Sequence, residues 1–223
     1  MNATLTIWAI MSKVKGGGMM PNHRFSPGLE TRINIANTLN DLCKEKDYAR
    51  ISVTEICKRA NVNRSTFYHH FEDKDSILQW HSAFAYDMGI DKIGRSYTWY
   101  QGHLITTRIL MRYEDAQKKA GDEGGYGGVR QFFERHRVAG LKKTLTEVKH
   151  VELTRELEFQ ILATATLEHS LGGMRLNGIF GVSIEDYCKL LCSAIPRELF
   201  NILNEPSEPD SDSDLVFLLN GGL

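Results

Sequence analysis

Long apolar runs are scarce in this chain. The stretch from Leu5 to Met11 is too short to span a bilayer. Positive charges follow it rather than precede it, and no small-residue cleavage site is evident, so it does not read as a secretory signal. Residues 1–25 are read as a non-domain extension jointed at Gly16–Gly18, with Met19 or Met20 as an alternative start. No membrane partner is expected, and the expected compartment is the cytoplasm. Cysteine is also sparse: Cys43, Cys57, Cys188 and Cys192 have no His or carboxylate at a zinc-site spacing. Cys188 and Cys192 share a helix face, where two thiols one turn apart read as packing residues rather than a sensor. No metal and no cofactor is expected.

Catalytic signatures are missing as well. There is no Gly-x-Ser-x-Gly, no His-Glu-x-x-His and no Rossmann glycine pattern. The glycine-rich segment 121–129 has neither a preceding strand nor a following Lys-Ser/Thr pair, so it reads as a loop rather than a phosphate cradle. No carboxylates recur as an acid/base pair, and the chain does not read as an enzyme. Neither sign of charge dominates, the formal net charge being −1. Strand-type alternation is absent too, which leaves an all-α fold; 42% apolar and 25% charged residues fit a soluble globular protein.

What is present is concentrated in Ser52–Asp75, SVTEICKRANVNRSTFYHHFEDKD. Ser52 and Glu55 form a capping-box pattern that predicts a helix from Val53. Val53, Ile56, Cys57 and Ala60 mark its apolar face. Asn61 tolerates the left-handed conformation that ends a helix. Asn63 then caps a second helix, Arg64–Phe71, whose buried side is Phe67 and Phe71 and whose other side carries Arg64, Ser65, Tyr68 and His69. Asp73 caps the next helix. From Arg50 to His70, Arg50, Lys58, Arg59 and Arg64 stand against Glu55 alone, a local basic footprint that the overall charge hides.

These residues, with TRINIANTLNDLCKEKDYARI before them and SIL after, resemble the DNA-binding domain of TetR-family transcriptional regulators over roughly Thr31–Trp80. Cys57 and Asn61 stand where the family commonly has Ala and Gly; both suit their places, one as a small core residue and one as a turn former. The resemblance implies an N-terminal helix-turn-helix domain, residues 26–72, and a helical ligand-binding and dimerisation domain, residues 73–204. It implies a homodimer on double-stranded palindromic operator DNA, since two short recognition helices about 34 Å apart read two half-sites. Asn63, Arg64, Ser65, Thr66, Tyr68 and His69 are the expected DNA contacts of the recognition helix. Thr54 and Lys74, at helix N-termini, are expected to hold phosphates. Family members usually repress and release DNA when a small molecule enters the C-terminal domain; some instead act as co-activators controlled by a protein partner.

The remaining chain reads as helices. Ser26 and Pro27 open the first, with Leu29, Ile33, Ala36, Leu39 and Cys43 on its apolar face, and Arg24 and Arg32 near its start as further phosphate candidates. A connecting helix runs from Lys74 to about Gly89, followed by an irregular link near 91–101. Helices are expected over Leu104–Lys119, Val129–His150, Glu152–Leu176 and Ile184–Leu203, the last capped by Ser183 and kinked or restarted at Pro196. The effector is unknown; Trp99, Tyr100, His103, Met111, Tyr113, Phe132 and Phe159 are candidate pocket walls. Residues 205–223 begin as an acidic, proline-containing tail with nothing to bury.

Overall fold

A computed structural model describes residues 27–122 and 127–208. Arg24, Ser26 and the extension before them, the centre of the glycine-rich segment and the chain from 209 onward lie outside the described residues. The described chain is helical throughout: α1 (Pro27–Glu45), α2 (Val53–Ala60), α3 (Arg64–His70), α4 (Lys74–Met88), α5 (Trp99–Met111), α6 (Glu114–Asp122), α7 (Gly127–Lys143), α8 (Arg155–Leu176), α9 (Ile184–Ala194) and α10 (Arg197–Leu203). Short 3-10 turns at Tyr48–Arg50 and Ile90–Lys92 and a π turn at Thr144–Val148 join some of them.

Two compact units result. Among the described residues, one comprises 27–81 and 113–122; the other comprises 82–112 and 127–208. The division falls inside α4.

The first unit gathers α1, α2, α3 and α6 around Ile35, Leu39, Leu42, Ile56 and Phe67, all essentially inaccessible. Burial of a side chain such as Phe67 stabilises by about 1.5–3 kcal/mol. Polar ties fix α2 against α1. Glu45 takes both Arg59 Nη atoms at 2.7 and 2.6 Å, Lys46 binds the Glu55 carboxylate, and Asn34 Nδ2 donates to the Ala60 carbonyl at the end of α2. Glu55 therefore supplies only half of the expected capping box. Its backbone N–H is received by Ser52 Oγ, but its carboxylate is drawn to Lys46, because an ion pair is stronger than a hydrogen bond to a neutral N–H.

In the second unit, Trp99, Leu141, Leu145, Leu157, Ile161 and Leu199 form the main apolar cluster. Gly89 lets α4 end against α5: a Cβ there would lie 2.1 Å from Thr106 Oγ1 and 2.7 Å from the Gly102 carbonyl. Thr106 Oγ1 in turn receives the Ile90 N–H at 2.9 Å.

Several expected bounds shift. The helix expected over Leu104–Lys119 starts earlier, at Trp99, because Thr98 and Gln101 make a reciprocal capping box. It also breaks at Arg112–Tyr113, after which α6 belongs to the first unit. The loop expected over 121–129 is shortened from both sides, since α6 reaches Asp122 and α7 begins at Gly127. Val129–His150 ends in a π turn, with His150 at φ 54°. Glu152–Thr154 stays outside α8, which Thr154 caps by accepting the Leu157 N–H. Pro196 does restart its helix: α9 ends at Ala194 and α10 begins at Arg197.

Candidate nucleic-acid interface

Local chemistry sets the hairpin of α2 and α3. Asn61, at φ 54° and ψ 45°, ends α2 in the left-handed conformation. Asn63 lies extended and its Oδ1 receives the Thr66 N–H at 2.6 Å, which starts α3. Phe67 is fully buried and Phe71 nearly so, their rings 6.0 Å apart. With that side sunk, Asn63, Arg64, Ser65, Tyr68 and His69 are exposed and Thr66 is half-buried. Tyr68 leaves half of its surface open although its ring meets the edge of Phe67. The first turn of α3 thus presents one cation, three side chains able to hydrogen-bond and no acid.

Arg64 does not hang free. Nη1 donates to Thr54 Oγ1 at 3.2 Å, Nη2 stands 3.4 Å from the Tyr68 hydroxyl, and the guanidinium lies over the Tyr68 ring at 5.8 Å. Thr54, expected as a phosphate contact, is exposed in the first turn of α2. The basic footprint is narrower than the sequence suggests, since Arg59 is taken by Glu45 and Arg50 lies 3.7 Å from Asp47. Lys58 and Arg64 meet no carboxylate among the described residues.

Lys74 is placed differently from the other candidates. Its ammonium donates to the carbonyls of Tyr48 (2.6 Å), Ile51 (3.3 Å) and Ala49 (3.4 Å), and sits over the Tyr48 ring. Tyr48 Oη donates to Asp75 Oδ1 at 2.5 Å. Lys74 therefore ties the 3-10 turn to the start of α4, and a phosphate contact from it requires the ammonium to leave those carbonyls. Asp73 occupies the N-terminus of α4, its Oδ1 receiving the Ser76 N–H at 2.8 Å. Arg32, the other described phosphate candidate, stands 6.0 Å from the centre of the Phe71 ring.

The sequence reading missed the polar contacts that bind α6 into this unit. Tyr113 Oη donates to Asn37 Oδ1 at 2.6 Å, Asn40 Oδ1 receives the Ala116 N–H, and Lys119 donates to the Lys46 carbonyl. The Tyr113 ring lies edge-on to His81, 3.9 Å between centroids. Asn37 and Asn40 are buried polar residues on an otherwise apolar face of α1, and that break in the pattern was the available signal.

Of the pocket-wall candidates, Trp99 and His103 are buried together, stacked at 5.8 Å. Phe159 is 71% exposed, which removes it from any interior wall, and Tyr113 packs in the first unit. The Phe132 side chain lies outside the described residues. Tyr100 borders an open surface cleft with Cys192 and Phe200. Burial pushes the Cys188 thiol up to about 12 and Cys192 to about 11, so both stay protonated and unreactive near neutrality. Among the described residues no three His, Cys, Asp or Glu side chains gather to hold a metal, and no helix is long and apolar enough to cross a membrane.

Comparison with known proteins agrees with this geometry. Residues 38–79 match the model of bacterial regulatory proteins of the tetR family. The HTH-type dhaKLM operon transcriptional activator DhaS of Lactococcus lactis is 32% identical over 81 residues, 36% of this chain and 41% of that protein. The transposon Tn10 TetC protein of Escherichia coli is 35% identical over 57 residues, 26% of this chain and 29% of its own length. The matched region is thus less than half of either curated relative. Among solved structures, the dihydroxyacetone kinase operon activator DhaS superposes with a TM-score of 0.59 at 20% identity, covering 79% of this chain and 99% of that one. That likeness is one of fold.

Proposed function

From a chain that belongs to the tetR family of bacterial regulatory proteins, we propose a homodimeric repressor that reads palindromic operator DNA and is released by a small molecule held in its second unit. One observation carries the DNA half: a two-turn helix with both aromatics buried and Arg64, Ser65, Tyr68 and His69 exposed behind a well-capped N-terminus. Arg64 reads a guanine through its O6 and N7 acceptors. Asn63, Ser65, Thr66, Tyr68 and His69 share the base-edge and phosphate contacts, and Thr54 holds a phosphate at the start of α2. Lys74 contributes a phosphate contact only once its ammonium turns outward. Dimerisation is supported by apolar side chains left exposed on the last long helices, Phe159 and Leu162 on α8 and Leu190 on α9. Regulation runs along the chain itself, because α5 leads from the second unit directly into α6 of the first, and α4 crosses the same division. The setting is the cytoplasm, where the operator is.

A second reading is activation under control of a protein partner; the DhaS relative, an operon activator, favours its activating half. Capture of genomic DNA fragments by the purified chain at two salt concentrations tests the proposal. Enrichment of a palindrome whose capture falls steeply with salt is expected. Sequence-blind capture at both concentrations would refute it. The position of the captured site relative to its promoter then separates repression from activation.

A further inference from the structure

The interior of the second unit is divided. One apolar cluster includes Trp99, Leu157 and Ile161; a separate one includes Leu104, Tyr187 and Cys188, with Leu171 packed against it. Polar residues stand at the join on three helices. His103 falls between Trp99 and Leu104 on α5, and Thr164 and Glu168 fall between Ile161 and Leu171 on α8. Arg137 enters from α7. His103 and Arg137 are each 3% exposed, Thr164 is 0% exposed, and the Glu168 side chain is 10% exposed.

The charges in this layer cancel. Arg137 Nε and Nη2 donate to Glu168 at 2.7 and 3.0 Å, and Nη1 donates to the Ile90 carbonyl at 2.8 Å. His103 and Thr164 are left over. Neither His103 Nε2 nor Thr164 Oγ1 meets a hydrogen-bond partner among the described residues. His103 Nε2 stands 3.5 Å from Glu168 Oε1 without forming a hydrogen bond. Burial lowers the His103 pKa to about 4, so the ring is neutral near pH 7. Buried polar atoms nearly always have a partner, protein or otherwise. Here two lack one, on different helices, with Thr164 one helical turn before Glu168, whose carboxylate His103 approaches.

We propose that His103, Thr164 and Glu168 form the recognition layer for a small, uncharged effector that carries a hydroxyl group. A hydroxyl both donates and accepts, so it can pair with the neutral imidazole in either tautomer and with the threonine hydroxyl, and where the imidazole donates it can give its own proton to a free lone pair of Glu168. A charged effector would place an unbalanced charge beside an ion pair that is already neutral, at a desolvation cost nothing in the layer offsets. The proposal rests on the small-molecule reading above and names the chemistry of its site.

Its test uses the full chain without DNA, so that it stands or falls separately from operator binding. Thermal unfolding is followed in phenol, benzoate and benzylammonium titrations for the parent, Thr164→Val, Thr164→Ser and His103→Leu. Phenol is expected to raise the parent Tm saturably, with neither charged compound doing so. Thr164→Val, which removes an unpartnered hydroxyl at constant volume, is expected to raise the Tm of the free protein and weaken phenol roughly tenfold, the worth of about one hydrogen bond. Thr164→Ser restores the phenol response, and His103→Leu weakens it independently. A parent that ignores phenol, or a benzoate or benzylammonium response as strong as phenol's, overturns the proposal. So does Thr164→Val that lowers the Tm and leaves the phenol response intact.

Discussion

At the scale of single residues, two asparagines and an arginine determine what the hairpin offers. Asn61 ends α2 at φ 54°. Asn61→Ala is expected to lower stability by about 1–2 kcal/mol, because a Cβ meets the following carbonyl there, whereas Asn61→Gly keeps it close to the parent. Denaturant midpoints of the two variants check this; equal midpoints would mean that the turn is not strained. Arg64 is the residue on which specificity turns. Arg64→Ala is expected to cost about 1–3 kcal/mol of binding and to relax preference at one base pair per half-site. Titration against operators substituted at each position reads it directly. A uniform loss at every position would make Arg64 a phosphate contact instead. Thr54 and Tyr68 flank the guanidinium, so its orientation is partly set before DNA arrives.

At the scale of elements, close packing decides which substitutions the second unit tolerates. Gly89→Ala sets a Cβ against Thr106 Oγ1 and the Gly102 carbonyl, and the second clash involves backbone that cannot swing away. A loss of about 1–3 kcal/mol, typical of overpacking, is expected in thermal or denaturant unfolding; an unchanged midpoint would show that α4 and α5 can separate without cost. The hairpin itself was legible in the sequence because its signals are local: a cap and its N–H lie three residues apart, and Phe67 and Phe71 lie four apart. Pro196 was legible for the same reason. The start of α5 at Thr98 and the transfer of α6 to the first unit were not. The first depends on a cap whose partner, Gln101, lies in a stretch whose neighbouring glycines signal an irregular link. The second depends on Asn37 and Asn40, more than seventy residues away along the chain. The ion pair of Arg137 and Glu168 escaped in the same way: no spacing rule joins residues on different helices.

At the scale of the whole molecule, pH and DNA geometry are the informative variables. His103 has its folded pKa depressed to about 4 by burial, with Glu168 pulling it up and Arg137 pushing it down. The unfolded chain therefore binds the proton more readily. The stability this burial allows is complete above about pH 6.5, the ordinary histidine value, and is lost as pH falls from there toward 4. Unfolding midpoints measured across that range are expected to fall more for the parent than for His103→Leu; parallel curves would show that His103 is not buried neutral. The central claim, a dimer reading a palindrome with α3, is tested most directly by hydroxyl-radical footprinting of the full chain on its captured site. Two symmetric protected patches, centred roughly one helical turn or about 34 Å apart, are predicted, and both should fade together in Arg64→Ala. A single asymmetric patch, or two patches that persist unchanged in Arg64→Ala, would contradict the account.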